Sequence, residues 1–191
     1  MNISFRPAVG SDIPYIKNSW LESYRNGDGV RGIPNKYYYH YEELLLRKSI
    51  PRCSNAGGLV VAYEHKPDMD WMDTVKADIL GWICAEALET GLLVHYVYVR
   101  GFDNRRNKHI PSKTNDYRQM GIASSLLDHC RTTLNCLHQP VFYTYRTSVC
   151  WDSQRGRDAL AARNCTYLPY PKWTLAPQDW ETGTPGGRTV T

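Results

Sequence analysis

The chain has 191 residues, 42% of them hydrophobic, with 23 basic and 19 acidic side chains and a formal net charge of +4. That is one domain's length with enough apolar material for a core, and the charge is too small and too dispersed for a dedicated nucleic-acid surface, since only Arg100 to Lys113 is dense in it. No apolar run approaches the roughly 20 residues that span a bilayer, and the opening "MNISFRPAVGSD" turns polar at once, so the expected setting is cytoplasmic, with no membrane partner and with the six cysteines as reduced thiols.

In chain order, "ISFRPA" reads as a short strand with Ile3 and Phe5 on one face. "SDIPYIKNSWLESYRN" reads as a helix: Ser11 or Asp12 caps it, Pro14 fits the first turn, and Ile13, Ile16, Trp20 and Tyr24 follow helical spacing. "NGDGVRG" breaks it. "PNKYYYHYEELLLRKSI" predicts a second helix whose Tyr37, Tyr41 and Leu44, at i, i+4 and i+7, make the buried stripe. The competing reading has Tyr37, Tyr38 and Tyr41 lining a substrate groove. "GGLVVAYEH" is a strand, "KPDMDWMDTVKAD" a polar loop, and "ILGWICAEAL" a strand with a bulge expected at Gly81. After the turn "ETG", "LLVHYVYVR" is the strongest strand, β-branched and aromatic throughout.

Residues 101–116 form a polar loop of unusual length for a compact domain. Ile122, Leu126, Leu127, Cys130 and Leu134 then mark one helical face. "PVFYTYRTSV" is a strand, "DSQRGRDALAAR" a helix capped by Asp152 or Ser153, and "CTYLPYPKWTL" a final strand. The order is β-α-α-β-β-β-α-β-α-β, an α/β (α+β) chain with a mixed, twisted central sheet flanked by helices. Residues 1–173 are expected to be a single domain carrying 101–116 as an inserted loop. Residues 174–191, ending "GTPGGRTVT", read as a flexible tail.

The stretch "RQMGIA", Arg118 to Ala123, carries the chemistry. Gly121 lets the backbone come close to a ligand, and the first amides of the helix it opens have no internal partners and sit at the positive dipole end. That suits a phosphate or pyrophosphate, with Arg118 adding a charge-assisted contact. Neither a Walker loop nor a G-x-G-x-x-G is present.

This R-x-x-G-x-A, downstream of the strand "VHYVYV" and within that element order, resembles the GNAT superfamily, the Gcn5-related N-acetyltransferases. "FRPAVGSDIPYIKNSWLESYR" with "VHYVYV" is similar to stand-alone GNAT proteins borne by tailed phages and prophages. The resemblance covers about residues 3 to 168. It implies a GNAT-like sheet and acetyl-CoA as co-substrate, bound by Arg118, Gln119, Met120, Gly121, Ile122 and Ala123 and by backbone pairing of Val97, Tyr98 and Val99 to pantetheine. It also implies direct acetyl transfer to an amine-bearing acceptor, small molecule or protein, in a host cytoplasm if the protein is phage-encoded. Three departures stand out: the 101–116 loop precedes the motif, Gln154 and Ala161 occupy the family's usual Asn and Tyr positions, and Cys165 stands near a usual Gly. Two alternatives follow. One is a catalytically inactive GNAT-fold binding or assembly protein of phage origin; the other is a nucleic-acid binder using the basic loop 100–113, where Arg105, Arg106, Lys108 and Lys113 lie.

Freeing an alkylammonium of pKa ~10.4 costs about 4–5 kcal/mol at pH 7, so a base is needed. His95 is the candidate, expected on the same strand face as Leu93, Val97 and Val99; the competing reading is a packed, hydrogen-bonded strand histidine. Glu86 and Glu89 are the alternatives. The candidate acids are Tyr98, Tyr143, Tyr145 and Tyr167. "HCRTTLNCLH" holds His129, Cys130, Cys136 and His138, but its spacing fits no familiar zinc knuckle, and no metal is expected.

Overall fold

The computed structural model describes residues 2–25, 33–101, 120–145 and 154–168. Six strands form one sheet whose spatial order is the chain order: β1 (Asn2–Pro7), β2 (Leu59–His65), β3 (Ile79–Leu88), β4 (Gly91–Val99), β5 (Val141–Tyr143) and β6 (Cys165–Tyr167). The first four are antiparallel in succession, while β5 runs parallel to β4 and β6 parallel to β5. Helices α1 (Ile13–Arg25), α2 (Asn35–Asn55), α3 (Trp71–Lys76), α4 (Ile122–Thr133) and α5 (Gln154–Ala162) complete the set. This is the mixed α/β class expected from the element order.

Both faces of the sheet are covered. On one, Ile16 and Trp20 of α1 and Leu46, Ile50 and Cys53 of α2 pack on Val61, Trp82, Cys84 and Tyr96. On the other, Ile122, Leu126 and Cys130 of α4 pack on Val60, Ala62, Ile83, Leu92 and Val94. That explains why β2 reads "LVVAY" without alternation: a strand buried on both faces has no polar side. Ile3 and Phe5 share the α4 face, as their spacing predicts.

A buried ion pair ties the sheet edge to the start of α1. Arg6 and Asp12 are 3% and 4% exposed and bond through both guanidinium nitrogens, at 2.6 and 3.1 Å. Arg6 Nε donates to the Thr74 carbonyl, and Val9 N–H donates to Asp12. Asp12 thus both caps the turn Gly10–Asp12 and neutralises Arg6.

Four expectations about elements change. The buried stripe of α2 is Tyr38, Glu42, Leu46, Ser49, Ile50 and Cys53, and Tyr37 is exposed. The stripe lies one residue away from the expected one because a glutamate occupies a core-facing position, which breaks the apolar pattern. The same helix runs through Pro51 to Asn55, past its expected end at Ile50; its last turn still buries Ile50 and Cys53, which outweighs the lost amide bond. The loop after β2 contains α3, opened by a reciprocal cap in which Asp73 N–H donates to Asp70 and Asp70 N–H donates to Asp73. The bulge expected at Gly81 falls on its neighbour: Ala62 pairs with Gly81 and Tyr63 with Ile79, leaving Leu80 as the extra residue.

The loop 101–116 is described only at Gly101, and the tail 174–191 and the basic residues Arg105, Arg106, Lys108 and Lys113 lie outside the described residues. Among the described residues, no helix is long and apolar enough to cross a membrane.

Candidate functional site

The site begins where β4 and β5 part. Their pairing runs from Leu92–Val141 to Val94–Tyr143. Thr144 adds one last backbone bond, N–H to the Val94 carbonyl, and its hydroxyl donates to the His95 carbonyl at 2.8 Å. Beyond that point, among the described residues, β4 pairs with β3 alone. Arg100 N–H donates to the Leu80 carbonyl of β3. Peptide groups alternate in direction along a strand, so Tyr96 and Tyr98 address β3, while Val97 and Val99 turn their N–H and C=O groups to the opposite edge, beyond the described pairing with β5.

A bulge sits at the same place. Cys84 pairs with Tyr96 and Ala85 with Val94, so His95 is an extra residue in β4. The inserted residue shifts the side-chain alternation by one. Val94, Val97 and Val99 pack on the α4 face, and Tyr96 and Tyr98 on the α1–α2 face. His95 therefore does not share a face with Val97 and Val99, as straight alternation predicts.

The His95 ring turns toward α2 and is 1% exposed. Its Nε2 lies 3.0 Å from Oε1 of Glu86. Arg52, from the last turns of α2, clamps both oxygens of that carboxylate at 2.6 and 2.8 Å. Glu86 is 12% exposed and Arg52 57%, so the row leads from the buried ring to the surface. Behind His95 lie two thiols. Cys53 is held down at about 6 by a hydrogen bond from Cys84, against burial, with His95 helping. Burial holds the Cys84 thiol well above its usual value. Glu89, the other carboxylate considered, is exposed in the β3–β4 turn.

Aromatic residues pack beside the parting strands. Tyr96 stacks on Trp20 at 5.0 Å and meets Tyr145 at 4.7 Å, and Tyr145 meets Tyr24 at 4.4 Å. The Tyr96 hydroxyl bonds Ser23 Oγ at 2.9 Å. Burial pushes the Tyr38 and Tyr96 phenols upward and keeps them neutral. Among the candidate acids, Tyr145 and Tyr98 lie on this face, whereas Tyr143 packs on the α4 face and meets the Tyr167 ring at a tilt, 5.4 Å away. An open cleft of about 410 Å³ is lined by Tyr15, Asp78, Tyr98 and Arg100 near the end of β4.

On the opposite face, α4 starts at Gly121, whose φ of +77° is left-handed. Among the described residues, no side chain caps the helix and nothing lies within 4 Å of where a Cβ on Gly121 would stand. The first amides of α4 have no partners within the helix, and no described residue fills the space at Gly121. Ile122 is buried and anchors this end against Gly81; Met120 is exposed and Ala123 half-buried. Arg118 and Gln119 lie outside the described residues.

No protein-family model matches the chain, and no curated protein matches it. Among solved structures it is similar to the PaiA N-acetyltransferase of Thermoplasma acidophilum in complex with coenzyme A, at 15% identity and a TM-score of 0.43, over 71% of this chain and 73% of that one. It is also similar to a possible acetyltransferase from Clostridium difficile 630, at 16% identity and a TM-score of 0.44, over 89% of this chain and 96% of that one.

The remaining sequence candidates lie apart from this centre. Gln154 and Ala161 are exposed on α5, where Gln154 bonds Asp158 at 2.6 Å. Cys130 and Cys136 belong to the α4-side core, and His129 stacks on Phe5. Among the described residues, no group of His, Cys, Asp and Glu is arranged to hold a metal ion. The bulge at His95 and the convergence of Cys53 and Glu86 on it had no signal in the sequence: α2, β3 and β4 had to pack together first.

Proposed function

We propose that this chain is an acetyl-CoA-dependent N-acetyltransferase of the GNAT type, transferring acetyl to a primary amine by direct attack. The observation that carries the reading is the parting of β4 and β5 after Val94, with the left-handed Gly121 opening α4 on the flanking layer. An extended amide chain such as pantetheine can pair with Val97 and Val99 on the vacated edge as a strand would. A pyrophosphate fits the amides of Ile122 and Ala123, which have no partner within the helix, and among the described residues nothing at Gly121 blocks its approach.

The co-substrate supplies an acetyl thioester: amine nitrogen bonds to its carbonyl carbon, the C–S bond breaks, and the thiolate takes up a proton. The chain's residues manage charge around that exchange. The Val97 N–H, which faces away from β3 and has no partner among the described residues, can donate to the developing oxyanion. The amine's proton passes to the Glu86–His95 dyad, with Glu86 at the surface end and the ring behind it. Tyr145, whose ring packs against Tyr96 beside the end of the β4–β5 pairing, is assigned as the acid for the leaving thiolate; Tyr96 stays a neutral phenol that shapes the wall.

The test is acetylation of a panel of primary amines and lysine-bearing peptides, followed by free-thiol release and by mass gain on the amine. Acetylation of an acceptor supports the reading. Tight acetyl-CoA binding with no acetylated amine favours a fold kept for binding alone.

A further inference from the structure

The surface end of the Glu86–His95 row carries a charge pattern of its own. Arg52 meets both oxygens of Glu86 with the Nε and Nη2 side of its guanidinium, at 2.6 and 2.8 Å. His95 Nε2 adds a third contact, to Oε1 at 3.0 Å. A carboxylate offers about four acceptor positions, so Glu86 has room for one more donor. A guanidinium is planar and carries five N–H donors. With its Nε side given to Glu86, the Nη1 group and the outer N–H of Nη2 form a second fork that points away from that carboxylate. Among the described residues nothing bonds to Nη1, and Arg52 is 57% exposed.

Lys48 lies one turn earlier on the same face of α2 and is exposed, without an ion pair among the described residues. The next carboxylate along the chain, Glu89, lies past the end of β3 in the turn to β4. The rim thus sets two cations beside the one carboxylate that is to receive the amine's proton. An acceptor with only positive charge gains little there, because what Glu86 attracts, Arg52 repels. An acceptor whose amine has a carboxylate one carbon away matches both charges. Its ammonium meets Glu86, and its carboxylate lies across the free fork of Arg52 in the bidentate arrangement that guanidinium favours.

We propose that the acceptor is the α-amine of a free amino acid, held by its own carboxylate on the outer fork of Arg52, which makes Arg52 the specificity-determining residue of the site. Polyamines, lysine side chains in proteins and peptide N-termini lack the adjacent carboxylate and are disfavoured. This deepens the acetyltransferase reading and takes from it the place where the amine gives up its proton. The recognition itself is a binding event, measurable without turnover.

The experiment uses three pools: the common amino acids, the same amino acids as carboxamides, and the corresponding decarboxylated amines. Each is incubated with acetyl-CoA and the full chain, and products are read by mass. Each is also screened by saturation-transfer NMR with coenzyme A present. The parent should acetylate and bind the acid pool at least about tenfold better than the other two, the scale of a charge-assisted pair. In Arg52→Gln the ratio of acid to amide should fall to within about twofold as that pair is lost, and Arg52→Lys should retain part of it. Arg47→Gln, which removes an exposed guanidinium paired with Glu43, should keep the parent's ratio. Because the ratio is taken within one variant, loosening Glu86 slows all pools alike and does not imitate the effect. No binding of any pool by the parent, no preference for acids, a preference that survives Arg52→Gln, or one lost equally in Arg47→Gln overturns the proposal. Acid binding governed by Arg52 without acetyl transfer upholds the subsite and removes the acetyltransferase reading. Acetylation of the amine pool at the rate of the acids does the reverse.

Discussion

Glu86 Oε1 and His95 Nε2 lie 3.0 Å apart because the bulge in β4 inserts His95 as an extra residue and turns its ring toward α2. If this dyad receives the amine's proton, Glu86→Gln keeps the shape and removes the charge. Turnover on an amine should fall by about 10²–10⁴ while acetyl-CoA affinity stays within a factor of about two. His95→Asn should act in the same direction. Steady-state thiol release beside calorimetric affinity separates the two effects. Parent-like turnover and an unchanged pH profile in both variants would make the dyad structural.

Gly81 fixes how closely α4 approaches the sheet. A Cβ there would meet the Tyr98 carbonyl at 2.7 Å and the Ile122 side chain at 3.2 Å. Gly81→Ala should therefore destabilise the fold by about 1–3 kcal/mol through overpacking, read as a lowered urea midpoint. Because it displaces the first turn of α4, it should weaken acetyl-CoA binding as well. A midpoint equal to the parent's would show that β3 and β4 yield there without strain.

Asp12→Ala leaves the buried Arg6 guanidinium without its counter-charge, a loss of about 3–5 kcal/mol. The double variant Arg6→Met with Asp12→Ala should recover much of that loss, since the uncompensated charge is gone. Chemical denaturation of the three variants checks this. Equal midpoints for Asp12→Ala and the double variant would mean that the capping bond to Val9, rather than charge, sets the cost.

The buried phenols predict alkaline fragility. Burial, first of all, raises Tyr15, Tyr38 and Tyr96 above the ordinary value near 10. In the unfolded chain they ionise near pH 10 while the folded chain keeps its protons. Folded protein then binds more protons than unfolded, so stability is full below about pH 10 and falls above it, by up to about 1.4 kcal/mol per pH unit for each phenol held neutral. Burial pushes the Cys130 thiol up to about 12, which adds in the same direction from about pH 9. Urea midpoints across this range should decline more gently in Tyr38→Phe than in the parent. Identical slopes would remove Tyr38 from the account.

What the sequence made legible follows from range. Periodicity is local, so Ile16, Trp20 and Tyr24 of α1 and the apolar run of β2 were readable, and so was the glycine-led opening of α4. Asp70 and Asp73 carried a readable cap for α3, hidden because the segment around them is short and polar. Glu42 misled because a buried carboxylate is rare. The bulge at His95 is a difference in pairing between two strands, and nothing in "LLVHYVYV" distinguishes the inserted residue from its neighbours. The meeting of Arg52, Cys53, Cys84, Glu86 and His95 likewise depends on where α2 docks across β3 and β4.

The central claim is that the parted strands and the Gly121 turn bind acetyl-CoA, and calorimetric titration of acetyl-CoA into the parent chain and into Gly121→Glu tests it most directly. Gly121 has a left-handed φ and no described residue within 4 Å of its Cβ position, so glutamate places bulk, backbone strain and negative charge where the pyrophosphate would lie. The account predicts saturable one-to-one binding by the parent and a loss of at least about tenfold, or 1.4 kcal/mol, in a variant whose circular dichroism stays native. No binding by the parent, or undiminished binding by the folded variant, would contradict it.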